Sequence, residues 1–110
     1  MSAPKPKAAT TARLLVFRED AIYRAIELGR GGLTIGRGPG NELVLEDPDR
    51  QISRFHAEVR WDHGRFMLVD LGSQNGTWME SARVDRVQLK AGVPVTIGHY
   101  RLIFDDVPFE

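Results

Sequence analysis

Three short polar segments of the chain combine residue types that bind anions. In chain order they are Gly36-Arg37, Ser53-Arg54-Phe55-His56 and Ser73-Gln74-Asn75-Gly76-Thr77. A guanidinium presents a planar fork of N–H donors that fits a phosphate or a carboxylate, and a serine hydroxyl adds a donor of adjustable direction. An asparagine carboxamide donates and accepts at once, which suits the backbone of an extended peptide. If they converge, these side chains predict an anion-binding site.

The same residues lack the components of an enzyme site. Residues 36–40 are rich in glycine, but they lack the Lys-Ser/Thr pair of a P-loop, and no helical pattern follows them. His56, His63 and His99 have no metal-motif spacing, and no nucleophile-elbow context surrounds Ser53. We therefore expect a binding module that is not an enzyme and that uses neither a metal nor another cofactor.

Loops at strand ends must position the three segments, because each segment lies where an apolar alternating run meets a Gly-, Pro- or Asp-rich break. From Arg13 onward such runs recur at close spacing, with no long helical periodicity. The predicted strands lie at residues 14–17, 22–28, 33–35, 43–45, 57–62, 66–71, 77–79, 82–84, 87–89, 94–97 and 100–104. About eleven short strands predict an all-β sandwich of two packed sheets.

Length and composition are those of one domain. The chain has 110 residues, 42% hydrophobic and 27% charged, which is enough for a single core. Its formal net charge is zero, which disfavours a general nucleic-acid or membrane-surface ligand. The absence of cysteine excludes disulfides and thiolate metal sites, so the cytoplasm is the expected location.

The order and spacing of Gly-Arg, Ser-Arg-x-His and Ser-x-Asn-Gly-Thr resemble the forkhead-associated (FHA) domain, a family that reads phosphorylated motifs through arginine clusters. The resemblance covers about residues 13 to 105 and looks bacterial, similar to modules of signalling and secretion-system scaffold proteins. It implies an FHA-type β-sandwich that prefers phosphothreonine to phosphoserine. The implied phosphothreonine-binding residues are Arg37, Ser53, Arg54, Gln74 and Asn75. The residues implied to support the site structurally are Gly36, His56, Ser73, Gly76 and Thr77.

Two functions are compatible with this resemblance. One is a phosphothreonine-dependent module that recruits a partner phosphorylated by a Ser/Thr kinase, in signalling or assembly. The alternative is a phospho-independent scaffold or self-association domain. Phosphorylation of Thr10 or Thr11 would give a further route to self-association, by offering one copy as ligand to another.

The predicted FHA domain spans residues 13–106, between a disordered tail at 1–12 and a C-terminal tail at 107–110. The first segment is rich in Pro, Lys, Ala and Thr and lacks the apolar core of a signal peptide.

Two turns depart from the family pattern, because Glu80-Ser81-Ala82 replaces the usual Asn-Gly and Gly92-Val93 replaces Gly-Asp. The loop at 46–50 carries three acids, at positions 46, 47 and 49, and predicts either rejection of acidic ligand flanks or a preference for basic ones.

Overall fold

The computed structural model describes residues 10–108. Within this range the chain forms eleven strands and no helix, so these residues contain no helix that could cross a membrane. The strands are β1 (Thr10–Arg18), β2 (Ala21–Glu27), β3 (Leu33–Gly36), β4 (Leu43–Val44), β5 (Ala57–Asp62), β6 (Arg65–Asp70), β7 (Trp78–Met79), β8 (Ala82–Arg83), β9 (Arg86–Gln88), β10 (Pro94–Ile97) and β11 (Tyr100–Pro108). The prediction of an all-β fold with about eleven short strands is confirmed.

The strands form two sheets. One has six strands in the order β2-β1-β11-β10-β7-β8, and the other has five in the order β4-β3-β5-β6-β9. Neighbouring strands are antiparallel, except that β3 and β4 run parallel. The first strand therefore lies beside the last, and β3 to β6 together with β9 form the second sheet.

The core lies between the sheets, and the alternation of each strand builds it. Leu14 and Val16 on β1, Ile35 on β3 and Leu102 on β11 are fully buried, whereas the residue before each of them in its strand is partly buried or exposed. Each such side chain contributes about 1.5–3 kcal/mol when it leaves water. Leu15 and Phe17, the residues between and after the buried pair of β1, are only partly buried.

A buried tyrosine ties the six-stranded sheet to the loop at 46–52. The Tyr100 ring packs edge-on against Tyr23 at 5.0 Å, and its hydroxyl donates to the Glu46 backbone oxygen at 2.6 Å. Burial raises the pKa of Tyr100 to about 12, so the hydroxyl keeps its proton and remains a donor. The hydrogen bond fixes one end of a loop that belongs to the candidate site.

Both ends of the domain extend beyond the predicted limits of residues 13 and 106, so those limits were wrong. β1 begins at Thr10 and β11 ends at Pro108, so parts of both predicted tails belong to strands. The two ends pair with each other, Thr10 with Pro108 and Thr11 with Val107. These residues show little apolar alternation, so the sequence pattern did not mark them as strand. The rest of the predicted tails, residues 1–9 and 109–110, lies outside the described residues.

The turn between β7 and β8 has an unusual composition for its geometry. Glu80 and Ser81 are the two loop residues of this hairpin, and their φ angles are 49° and 71°. Two-residue hairpin loops favour positive φ at both positions, where Asn and Gly are preferred. The hairpin therefore forms with strained residues.

The second departure from the family pattern, Gly92-Val93, also lies in a turn. The backbone N–H of Val93 donates to the Lys90 oxygen at 3.1 Å there.

Candidate functional site

The three polar segments meet at one end of the five-stranded sheet. β3 ends, β5 begins and β6 ends there, because β5 is the antiparallel neighbour of both other strands. Backbone hydrogen bonds join the first two segments: the Arg37 N–H donates to the Ser53 oxygen at 3.1 Å, and the Gly38 N–H to the Arg54 oxygen at 3.0 Å. The convergence that the anion-site prediction requires is therefore present.

Glycine permits this close approach of the first two segments. A Cβ atom on Gly36 would lie 2.2 Å from the Arg54 backbone oxygen, and one on Gly38 would lie 2.5 Å from Arg54 Cγ. Asn41, which is buried, fastens the same contact, since its Nδ2 donates to the Gly38 oxygen at 2.8 Å and the Arg54 oxygen at 2.7 Å. The sequence analysis did not predict Asn41 as a site residue, although its position after Pro39 and Gly40 is typical of a turn asparagine.

The Arg37 side chain is fixed in place without losing its outer donors. Its Nε donates to the Ile52 backbone oxygen at 3.0 Å. A guanidinium carries five N–H donors, so both terminal nitrogens stay available for an anion. Arg54 is exposed, and its guanidinium has no hydrogen bond to any other described residue.

Ser53 links the second segment to the third. Its Oγ accepts the backbone N–H of Gln74 at 3.1 Å, which leaves the hydroxyl proton free to donate outward. Asn75 Nδ2 donates to the Gln51 backbone oxygen at 2.8 Å and leaves its second N–H and its carbonyl oxygen for a ligand backbone. Gln74 and Asn75 are both exposed beside Ser53. The loops therefore bring the five predicted ligand-binding residues together on one surface of the domain.

His56 lies beneath that surface and is fully buried. Its Nδ1 accepts the Ser53 backbone N–H at 3.1 Å, so its Nε2 carries the proton and donates to the Gly76 oxygen at 2.9 Å. Burial lowers the pKa of His56 below 6.5, outweighing the hydrogen bond to Gly76 and the nearby Asp70 carboxylate, which raise it. The neutral imidazole connects the second and third segments, as a supporting residue would.

Asp70 organises the third segment and was not predicted as a site residue. One carboxylate oxygen accepts the Ser73 N–H at 2.7 Å, and the other accepts the hydroxyls of Ser73 at 2.6 Å and Thr77 at 2.7 Å. Partial burial alone would raise the pKa of Asp70, but these hydrogen bonds outweigh it and lower the pKa. The Ser73 Oγ also accepts the Gly76 N–H at 3.0 Å, so this hydroxyl is occupied within the loop.

Two further charged residues have structural roles that the sequence did not reveal. Arg83 donates from a terminal nitrogen to the Ser73 backbone oxygen at 3.0 Å and braces the third segment from β8. Asp47 is buried, and its carboxylate accepts the Ile52 N–H at 2.7 Å. Of the three acids expected to favour basic ligand flanks, Asp47 is therefore turned into its own loop, and only Glu46 and Asp49 are exposed.

The candidate site is an open surface at the tips of loops. A groove of about 470 Å³ lies at the opposite end of the sandwich, where Leu28, Trp61, Phe66 and Phe104 contribute to its lining. Small-molecule sites are usually enclosed and mostly apolar. An exposed cluster of guanidinium, hydroxyl and amide donors is better suited to an anionic group on an extended segment of another protein.

Comparison with known proteins agrees with this geometry. A sequence profile of the FHA domain matches residues 33–98, a range that contains all three polar segments. The chain belongs to the FHA family. This FHA domain is 44% identical over 94 residues to the glycogen accumulation regulator GarA of Mycolicibacterium smegmatis, and the match covers 86% of the chain and 58% of GarA. The family resemblance inferred from the motifs is confirmed.

Solved structures of other FHA domains are similar to this chain in both sequence and fold. A domain from a study of phosphothreonine-dependent FHA domain interactions is 36% identical and has a TM-score of 0.77, over 91% of this chain and 100% of that one. The FHA domain of FhaA in complex with the intracellular domain of Rv3910 is 35% identical and has a TM-score of 0.73, over 86% and 99% of the two chains. The match to the complete FhaA protein of Mycobacterium tuberculosis covers 16% of its length.

Proposed function

We propose that this FHA domain binds phosphothreonine-containing segments of partner proteins and recruits substrates of a Ser/Thr kinase in signalling or assembly. The observation that carries the proposal is the position of Ser53: its backbone oxygen accepts the Arg37 N–H, its hydroxyl oxygen accepts the Gln74 N–H, and its hydroxyl proton stays free to donate. The similarity to a domain studied for phosphothreonine-dependent interactions supports it.

In this proposal each side chain has a separate task. The terminal nitrogens of Arg37 and the Ser53 hydroxyl donate to phosphate oxygens, and Arg54 adds a second cation. Asn75 holds the ligand main chain, and Gln74 borders the site beside it. A phosphothreonine carries roughly 1.5 to 2 negative charges, and each charge-assisted hydrogen bond contributes on the order of 1.5–3 kcal/mol. Because Arg37 and Ser53 are already fixed by the loops, little conformational entropy is lost on binding.

Preference for phosphothreonine over phosphoserine is part of the proposal. One buried methyl group contributes about 1–3 kcal/mol, which corresponds to roughly 5- to 150-fold in affinity. The preferred residues on either side of the phosphothreonine depend on exposed side chains such as Glu46, Asp49 and Gln51 at the rim of the site.

Calorimetric titration with a degenerate phosphothreonine peptide pool tests the proposal. We expect binding by the wild type, much weaker binding of the phosphoserine pool and none of the unphosphorylated pool. Arg37→Ala should weaken binding by about ten- to a hundredfold or more, because it removes charge-assisted hydrogen bonds. Arg86→Ala is the matched control, because the Arg86 side chain on β9 forms an ion pair with Asp62 at the far end of β5, away from the site.

Binding that ignores phosphate, or that survives Arg37→Ala, would contradict the proposal. It would favour the alternative of a phospho-independent scaffold or self-association domain.

The proposal also covers which ligand classes are excluded and where in the cell the domain acts. We infer no catalytic step, no nucleic-acid ligand and no membrane ligand, and we place the domain in the cytoplasm, where ATP is available to a kinase. Self-association through phosphorylated Thr10 or Thr11 would require a local opening of the sheet. Both residues are paired with β11, and a segment offered to another copy would have to leave that pairing.

A further inference from the structure

The outer face of the six-stranded sheet carries a continuous apolar patch. On β1, β10 and β11 every second residue is buried in the core, which turns the residues between them outward. Cross-strand pairing then brings outward apolar residues together: Leu15 is paired with Ala25 and Ile103, Phe17 with Ile22, and Ile103 with Pro94. The sheet-face patch consists of Leu15, Phe17, Ile22, Ala25, Pro94 and Ile103.

Ile22 and Ala25 of this patch are exposed and its other four residues are partly buried. Its rim is charged, and the Arg101 guanidinium lies 5.6 Å from the centre of the Phe17 ring. Ile22 is 61% exposed, the highest value among the large hydrophobic residues with described side chains. Arg13 and Asp105 form an ion pair of 2.6 Å at one end of the patch. Arg101 lies 3.9 Å from Asp20 at the other end. A contiguous apolar area with a polar rim is typical of a protein-interaction surface.

Trp78 connects the sheet-face patch to the phosphothreonine site. It is paired with Thr96, an outward residue of β10, so its ring lies on the outer face, where it is 38% exposed. Its indole N–H donates to the Asn75 backbone oxygen at 3.0 Å. Thr96 is in turn paired with Arg101 on β11. The outer face therefore begins directly beside the residue that would hold the ligand main chain.

The size of the patch decides what kind of contact it can make. It spans four strands at about 4.8 Å spacing and one or two outward positions along each, which is roughly 200–250 Å². Two copies packed face to face would bury about twice that area, well below the roughly 1,200–2,000 Å² of a stable complex. The patch is too small to hold a second copy by itself. It is large enough to strengthen binding of a ligand that is already held nearby.

We propose that the sheet-face patch binds apolar side chains of the same ligand segment whose phosphothreonine occupies the loops. The inference rests on the proposed function. The patch lies one to four strands from Trp78, or about 5–19 Å, a distance that an extended segment covers in roughly two to six residues beyond the loop contact. The ligand chemistry is thus a phosphothreonine with aliphatic or aromatic residues about four to ten positions away.

A displayed peptide library tests the inference. Each member has about 25 residues, a central phosphothreonine and randomised flanks, so that either direction along the ligand can be selected. The library is selected on the wild type, on Ile22→Thr/Ile103→Thr, on Val69→Thr and on Arg37→Ala. Threonine keeps the β-branched shape and removes apolar surface. Val69 is the matched control, because it pairs with Glu58 and Arg86 on the other sheet.

We expect the wild type and Val69→Thr to enrich aliphatic and aromatic residues at the distal positions, and Ile22→Thr/Ile103→Thr to lose that enrichment while still requiring phosphate. A selected peptide should bind the wild type about 5- to 20-fold more tightly than its distal Ser/Gly version, which corresponds to about 1–2 kcal/mol. Amide NMR of the wild type provides a readout that does not depend on a variant. Only the apolar version should shift the amides of β1 and β11.

Equal distal selection by the wild type and Ile22→Thr/Ile103→Thr, or no shift in β1 and β11, would overturn the inference. The proposed function fails separately, if selection does not depend on phosphate or is unchanged in Arg37→Ala.

Discussion

The protonation of His56 is coupled to the shape of the ligand loops. An imidazolium donates from both nitrogens and cannot accept the Ser53 N–H, whereas the neutral ring accepts it and donates to Gly76. Burial keeps the folded-state pKa below 6.5, and Arg83 lowers it further. The Gly76 hydrogen bond and Asp70 act in the opposite direction. Protonation of His56 at Nδ1 would therefore remove the hydrogen bond from the Ser53 N–H, which fixes Ser53 in place.

We predict that the free energy of unfolding decreases as the pH falls below about 6.5. In that range the unfolded chain takes up a proton at His56 while the folded chain does not, so acid favours unfolding until the lower folded-state pKa is reached. Urea denaturation at about pH 7.5 and about pH 5.5 measures the effect. His56→Gln should show a smaller loss than the wild type. His99→Gln, at an exposed position, should behave like the wild type. An unchanged loss in His56→Gln would contradict the prediction.

Single residues differ in how far the sequence can reveal their roles. Arg37, Ser53 and Asn75 were predicted as ligand-binding residues from motif spacing, and their loops converge. Asp70 was missed, although a carboxylate three residues before Ser73 is a local turn signal. Asp47 could not have been assigned its partner, because its hydrogen bond to the Ile52 N–H closes an irregular loop with no recognised spacing.

At the scale of secondary structure, alternation predicted all eleven strands but neither their order nor their irregularities. The sheet order depends on which faces pack together, and that is set by long-range contacts. The register of β1 against β2 shifts between Val16 and Phe17, because Val16 pairs with Arg24 and Phe17 with Ile22, and Tyr23 of β2 is the extra residue of a bulge. A bulge inserts one residue without a distinctive sequence signal. This shift sets Ile22 opposite Phe17 on the outer face.

The β7–β8 hairpin provides a prediction at the same scale. Glu80→Asn/Ser81→Gly should raise the free energy of unfolding by about 1 kcal/mol, because Asn and Gly adopt positive φ at lower cost than Glu and Ser. The midpoint of urea denaturation measures the change. Phosphopeptide affinity should be unaffected, since neither residue belongs to the proposed site. A lower midpoint would show that the present side chains make stabilising contacts.

At the scale of the whole molecule, the pairing of the two chain ends sets the size of the stable domain. A chain of residues 10–108 should be more stable than one of residues 13–106 by about 1–3 kcal/mol. The longer chain keeps the pairs of Thr10 with Pro108 and of Thr11 with Val107, and it keeps the hydrogen bond from the Leu28 N–H to the Ala12 oxygen. Urea denaturation of the two chains compares them. Equal stabilities would mean that the terminal pairs contribute little.

The β1–β11 pair runs the length of the sandwich. Arg18 and Tyr100 lie at its loop end, where Tyr100 contacts Glu46, and Thr10 and Pro108 lie at the other end. Thr10 and Pro108 are therefore two adjacent attachment points at the base of the domain. The ligand loops lie at the opposite end of the sandwich. Attachment to a longer protein, or to a solid support, through either end would therefore leave the approach to Arg37 and Ser53 unobstructed.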